Sequence, residues 1–217
     1  YGNKVIPISD KAVVKYGRGV KIEEFNNLEQ AYHLLDPSIV RVPQPYRFFE
    51  DDDIGYLVMI YMKGNIIEEI TDPFHISQIG RALRHFSSFQ STRPGPLGGG
   101  ISRGLLWGEG TTPEYSLHGS VENLEHWFNR RLKHNGLCLS FKECDFVLCH
   151  LDIAPRNMLW LPGESTSLAI VDWASAGYYP RMFEWCLLNI FSGKDGRFQD
   201  LVKETMEPFT EWEKESQ

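Results

Sequence analysis

At 217 residues the chain is long enough for one substantial core or two small lobes sharing a cleft, and its 42% hydrophobic, 24% charged and 13% aromatic residues are ordinary for a soluble globular protein. Its net charge is −7, from 22 Lys and Arg against 29 Asp and Glu, with no Lys/Arg run, which argues against nucleic acid or an anionic membrane as main partner and is compatible with a cationic substrate. No run approaches the ~18 apolar residues of a membrane span and the N-terminus lacks the pattern of a signal peptide, so the cytoplasm is the default expectation.

Two strand-like runs, Val5–Ile8 and Ala12–Tyr16, open the chain as a hairpin around the polar turn Ser9-Asp10-Lys11. Lys15 stands in the second run among apolar neighbours and, taken alone, reads as an edge-strand lysine pointing to water. A helix is predicted from about Val20 to Leu35, with Phe25, Leu28, Ala31, Tyr32 and Leu35 on one face. At about 100° per residue Glu24 lies within ~30° of the centre of that stripe and Glu29 ~110° away, so Glu24 is the carboxylate turned inward.

Beyond Pro37 the chain reads as extended, with an acidic turn at Asp51-Asp52-Asp53 and a strand Tyr56–Tyr61 that stops at Gly64. Ile76–Phe89 carries Ile76, Ile79, Leu83 and Phe86 at helical spacing and reads as a core helix. Ser91–Ser120, rich in Gly, Pro and Ser, predicts a long irregular loop. Its Gly98-Gly99-Gly100 is a weak match to a phosphate cradle, since no strand precedes it and no helix clearly follows. Loops of this length are often functional, which makes Arg103, Leu106 and Trp107 candidates to face a substrate. Val121–Leu137 follows as an amphipathic helix with Leu124, Trp127, Phe128 and Leu132 inward.

The stretch Phe146–Trp173 constrains function most. It carries His150, Asp152 and Asn157 on one loop, then apolar runs Met158–Leu161 and Leu168–Val171 around the turn-forming residues 162–167, the pattern of a hairpin. Paired in register, Met158 faces Val171, Leu161 faces Leu168, and Asn157 faces Asp172. That brings two oxygen-bearing side chains to one end of a hairpin beside the Asp152 carboxylate, a set suited to Mg²⁺, which takes one or two protein oxygens. Singly, each reads as well as a turn, cap or strand-end residue. Cys138, Cys144, Cys149 and Cys186 form no C-x-x-C pair and read as reduced thiols; Cys144, Cys149 and His150 lack the spacing of a usual zinc site. After Pro180 the run RMFEWCLLNIF is apolar nearly all round and therefore buried, so Glu184 within it must be paired or hydrogen-bonded, a structural role. The tail from Lys194 is amphipathic and acidic.

The blocks HLDIAPRNMLW and IVDWASAGYYPRMFEW resemble the catalytic segment of the aminoglycoside phosphotransferase and protein-kinase-like superfamily, nearest its fungal phosphotransferase-like branch. The resemblance implies an α+β, bilobal protein-kinase-like fold: a small antiparallel-sheet N-lobe over residues 1–62 and a mainly helical C-lobe over residues 63–217. The superfamily has a strand and a phosphate-covering loop ahead of its first hairpin and this sequence opens at Tyr1-Gly2, so the resemblance implies either a longer natural protein or an N-lobe with that first strand and phosphate loop missing.

The same resemblance assigns roles. Asp152 would orient the substrate hydroxyl and accept its proton; Asn157 and Asp172 would hold Mg²⁺; Lys15, in the context V-x-K and steadied by Glu24 nine residues on, would bind the phosphates of ATP. Tyr61 and Met62 would form the hinge, pairing adenine through backbone groups, with Ile60 where relatives often have Glu. His150 would brace the loop, and Arg156 would either fasten it to a carboxylate or meet a substrate anion. The expected activity is ATP-dependent phosphoryl transfer to a hydroxyl of a small molecule, by a monomer or weak homodimer. The competing readings are a pseudokinase-like nucleotide- or metabolite-binding protein and a cleft reused for other chemistry on a small metabolite; the joint presence of Lys15, Asp152, Asn157 and Asp172 argues against both.

Overall fold

A computed structural model describes residues 2–104, 106–107, 119–132, 136, 138–163, 168–190 and 192–210. Strands β1 (Lys4–Pro7) and β2 (Ala12–Gly17) form the expected hairpin, helix α1 (Ile22–Leu34) follows, and β3 (Pro45–Asp51) and β4 (Ile54–Ile60) complete an antiparallel sheet of order β1-β2-β4-β3. β2 is thus an inner strand, which removes the reading of Lys15 as an edge lysine: its neighbours in register are Val5 and Leu57. The acidic turn has a conformational cause. Asp52 and Asp53 both have positive φ, 45° and 63°, the backbone of a tight hairpin turn that aspartate tolerates better than bulkier residues.

β3 was expected only as extended chain. Pro45 at its start and a mostly exposed face hide it, and both features belong to an edge strand, where a missing N–H costs no ladder bond. α1 begins two residues later than its pattern predicts, because Lys21 is extended at its N-terminal cap. Its buried face comprises Glu23, Glu24, Asn27, Leu28 and Ala31, while Tyr32, expected inward, lies exposed at the rim.

The second part of the chain contains α2 (Pro73–Ser87), β5 (Gln90–Ser91), β6 (Gly95–Pro96), α3 (Val121–Leu132), β7 (Phe146–Cys149), β8 (Met158–Trp160), β9 (Leu168–Ile170), β10 (Gly177–Pro180), α4 (Met182–Ile190) and α5 (Ser192–Thr205). α2 starts where Asp72 caps the Phe74 N–H at 2.7 Å and Pro73 takes the first turn, a position that lacks an intrahelical partner in any helix. Beside the helices lies a sheet of order β5-β7-β10-β6. β5 lies at the edge of the predicted loop, β6 within it, and β10 ends on Pro180, the residue expected to start a helix; strands of two to four residues carry too little alternation to be seen.

The hairpin β8–β9 forms one residue out of the expected register: Met158 pairs with Ile170 and Trp160 with Leu168. Asn157 consequently lies in a single turn of 3-10 helix, Pro155–Asn157, its carbonyl accepting from the Val171 N–H at 3.0 Å rather than standing opposite Asp172. Of the predicted hairpin turn, residues 164–167 lie outside the described residues, as do 105 and 108–118 of the predicted loop, 133–135 and 137 of the predicted helix end, and 211–217 of the tail.

One apolar cluster runs from Val20 and Leu28 through Leu57, Ile79 and Phe86 to Met158, Ile170, Trp173 and Val202, joining sheet, α1, α2, hairpin and α5. A second, aromatic cluster holds Trp107, Trp127, Phe141, Tyr179 and Phe183. Trp107, expected to face a substrate, is therefore core, its ring against Trp127, Phe128 and Tyr179; Leu106 packs beside it, and Arg103 is paired with Glu23 at 3.0 Å. Among the described residues no helix is long and apolar enough to cross a membrane.

Candidate functional site

A cleft of about 350 Å³ opens between the first sheet and the hairpin β8–β9, and Lys15, Glu24, Tyr61, Met62, Arg156, Asn157 and Asp172 line it. Asp152 is not on its wall but is tied to it through Asn157 and Arg156.

Lys15 points inward from β2 and is only 7% exposed. Its Nζ donates to Glu24 Oε1 at 2.6 Å and lies 2.9 Å from Asp172 Oδ1, so strand, helix and the chain after β9 meet on one ammonium. Glu24, not Glu29, is its helix partner, as helical geometry required. Burial disfavours the lysine's charge, but the attraction of Glu24 and Asp172 prevails and holds its pKa above the ordinary value. Burial pushes the Glu24 carboxyl up to about 7 against the pull of Lys15, whereas at Asp172 Lys15 overcomes burial and lowers the pKa.

The loop that carries Asp152 is held from below. β7 ends at Cys149, and the next two N–H groups, of His150 and Leu151, donate to the Glu184 carboxylate at 2.6 Å and 3.0 Å. Glu184 is thus hydrogen-bonded inside its apolar helix, as its burial demanded, and the desolvation raises its pKa to about 7 against those same bonds. This carboxylate clamps Leu151 at a φ of 62°, the left-handed turn that swings the chain from the strand into Asp152.

His150 is fully buried; its Nε2 lies 3.2 Å from the Val171 carbonyl, which assigns the proton to that nitrogen, and its ring meets Trp173 edge-on. Burial holds its pKa below the usual histidine value. It links the loop to the chain just before Asp172, a bracing geometry.

Asn157 Nδ2 donates to the Asp152 carbonyl at 2.9 Å and to Asp152 Oδ2 at 2.7 Å. Arg156, whose two readings were open, pairs with Asp152 Oδ1. Asp152 therefore has one carboxylate oxygen on an amide and the other on a guanidinium, a geometry that fixes its plane.

The donor set fits a hard cation. Asn157 uses its amide nitrogen in both bonds, which leaves Oδ1 to the cleft, and Asp172 adds a carboxylate; with both ionised, Glu24 and Asp172 exceed Lys15 by one negative charge. Two protein oxygens beside a cleft is the sparse coordination that Mg²⁺ accepts from proteins. Among the described residues no cluster of three or more His, Cys, Asp or Glu is gathered as a metal site.

Asn27 is a site residue that the sequence reading missed. It lies on α1 three residues after Glu24, is 1% exposed, and hydrogen-bonds the carbonyls that follow Asp172. The available signal was its place on the inward face, one helical turn from Glu24.

Residues 9–210 match the phosphotransferase enzyme family. Among solved structures the fold is shared with a thermostable mutant of aminoglycoside phosphotransferase APH(4)-Ia in ternary complex with AMP-PNP and hygromycin B, at 11% identity and a TM-score of 0.57 over 93% of this chain and 76% of that one. An aminoglycoside phosphotransferase from Alicyclobacillus acidocaldarius is similar at 13% identity and a TM-score of 0.52, over 93% and 72%. Spectinomycin phosphotransferase APH(9)-Ia, in complex with ADP and spectinomycin, is similar at 14% identity and a TM-score of 0.50, over 97% and 72%. No curated protein matches the chain in sequence.

Proposed function

The chain belongs to the phosphotransferase enzyme family, and on that premise we propose that it transfers the γ-phosphoryl group of ATP to a hydroxyl of a small molecule. The observation that carries this reading is the convergence of Lys15 from the sheet, Glu24 from α1 and Asp172 from the hairpin side of one cleft, beside Asn157, itself bonded to Asp152.

Phosphoryl transfer asks for positioning and charge neutralisation rather than covalent chemistry. Lys15, kept charged by Glu24, binds the nucleotide phosphates and releases Asp172 as it does so. Asn157 Oδ1 and the Asp172 carboxylate would hold Mg²⁺, which would supply neutralisation of the phosphate charge. At the hinge the Tyr61 N–H is already bonded to the Lys11 carbonyl at 2.8 Å and the Met62 carbonyl accepts from Gly64 at 3.0 Å. The Tyr61 carbonyl and the Met62 N–H are the groups left to pair an adenine edge. Asp152, its plane set by Asn157 and Arg156, accepts the proton of the attacking hydroxyl.

The solved relatives in complex with hygromycin B and spectinomycin support a small-molecule acceptor. The test is thermal shift followed by turnover. Mg²⁺-ATP raises the melting temperature, Asp172→Ala abolishes that rise, and Asp152→Asn keeps it while slowing ATP-dependent phosphorylation in a screen of hydroxylated compounds by roughly 10²–10⁴-fold. A wild-type protein whose melting temperature ignores ATP with and without Mg²⁺ would remove the proposal.

A further inference from the structure

The chain turns sharply at Asp172. Its φ of 64° and ψ of 67° are left-handed, a conformation that aspartate tolerates better than bulkier residues and that its surroundings hold in place. Asp172 also starts a single 3-10 turn, Trp173–Ser175, whose Ala174 N–H is turned to its carboxylate and helps lower its pKa. The turn is held from outside as well. Asn27 Nδ2 donates to the Trp173 carbonyl at 3.1 Å and to the Ala174 carbonyl at 3.2 Å, and its Oδ1 accepts from the Gly98 N–H at 2.7 Å. That last bond fixes which way round the amide sits, so both donors must face the turn.

We propose that Asn27 is a positioning residue for Asp172: by holding the two carbonyls after it, the amide keeps the turn left-handed and the carboxylate aimed at Lys15 and the cleft. The proposal rests on Asp172 as the metal carboxylate of the function above. It also explains a sequence feature that the activity leaves unused, an asparagine on the buried face of α1 where a core residue would pack. Glu24 and Asn27 are one helical turn apart, so the same helix places the partner of Lys15 and secures the turn that places Asp172. A second tie between α1 and residues 98–103, Glu23 Oε2 to Arg103 Nε at 3.0 Å, does not touch that turn and serves as the control.

The experiment measures ADP affinity with Mg²⁺ and with EDTA by calorimetry, and amide hydrogen exchange of the ligand-free protein. Asn27→Ala lowers the Mg²⁺-dependent gain in affinity by roughly tenfold to a hundredfold, the usual effect of removing a partner that orients a metal ligand, while metal-free ADP binding changes little. Arg103→Gln leaves the gain intact. Exchange across residues 172–177 quickens in Asn27→Ala relative to α5. Asn27→Asp, which keeps an acceptor for Gly98 and loses both donors, reproduces the loss and carries the comparison if the alanine variant does not fold. Equal weakening with and without Mg²⁺, the same loss in Arg103→Gln, or unchanged exchange at 172–177 would overturn the role. If the wild type binds ADP in neither condition, the nucleotide reading fails, and the exchange result alone decides for or against Asn27.

Discussion

Glu24 and Glu184 are the same residue type, equally buried at 3% and 4% exposure, each pushed by desolvation to a pKa of about 7, and they do different things. Glu24 is satisfied by an ammonium on a side chain that faces a cleft and is shared with Asp172. A ligand can redistribute that charge. Glu184 is satisfied by the backbone N–H groups of His150 and Leu151, so it fixes the path of the chain and through it the position of Asp152. A buried carboxylate is thus defined less by its burial than by what answers it: a cation makes it part of a binding site, a pair of amides makes it part of the frame.

That contrast can be broken experimentally. Glu184→Ala strips the acceptor from two buried N–H groups at about 1–3 kcal/mol each, so urea unfolding should show a loss on the order of 4 kcal/mol. A loss under about 1 kcal/mol would mean that water or a shifted backbone replaces the clamp. Glu24→Gln keeps an acceptor for Lys15 and leaves Asp172 as its charged partner, so the stability loss should be smaller, about 1–2 kcal/mol, with ADP affinity the property that suffers. Equal stability losses in the two variants would erase the distinction between site and frame.

The smallest effect is the dependence on pH. Folded Glu184 titrates near 7 against 4.5 for the ordinary group, so between those values the folded state holds a proton that the unfolded chain has released. Stability attributable to this group is therefore complete below 4.5 and is lost as pH rises to about 7, at no more than about 1.4 kcal/mol per pH unit. Lys15 and Asp172 act outside this window: the raised lysine contributes stability that is lost at alkaline pH, and the lowered aspartate one that is lost in acid. Urea midpoints from pH 4.5 to 7 should accordingly fall less steeply for Glu184→Gln than for the wild type. Parallel curves would show the carboxylate ionised throughout.

Much of the site was legible because it is local. His150, Asp152, Asn157 and Asp172 lie within one short stretch, and Glu24 could be chosen over Glu29 from helical phase alone. Glu184 could be named as a buried group needing partners, since a carboxylate in an apolar helix has few alternatives. Which partners it finds was not legible, because the N–H groups of His150 and Leu151 reach it from more than thirty residues away in sequence. Trp107 was misplaced for the same reason: in a stretch rich in Gly and Pro nothing local announces the ring packing of Trp127 and Tyr179 that buries it.

By itself the sequence determined most of the helix phases, the strand that ends near Tyr61, the order of candidate site residues and Glu24 as the more inward of the two helix glutamates, all of which follow from periodicity, spacing or a family likeness carried by contiguous residues. Only the tertiary structure decided the inner position of β2, the one-residue register of β8 against β9, the left-handed turn at Asp172 and the amide of Asn27 that answers it. Register and backbone strain are settled by partners far along the chain, and no local pattern of side chains can encode what a distant segment will enforce.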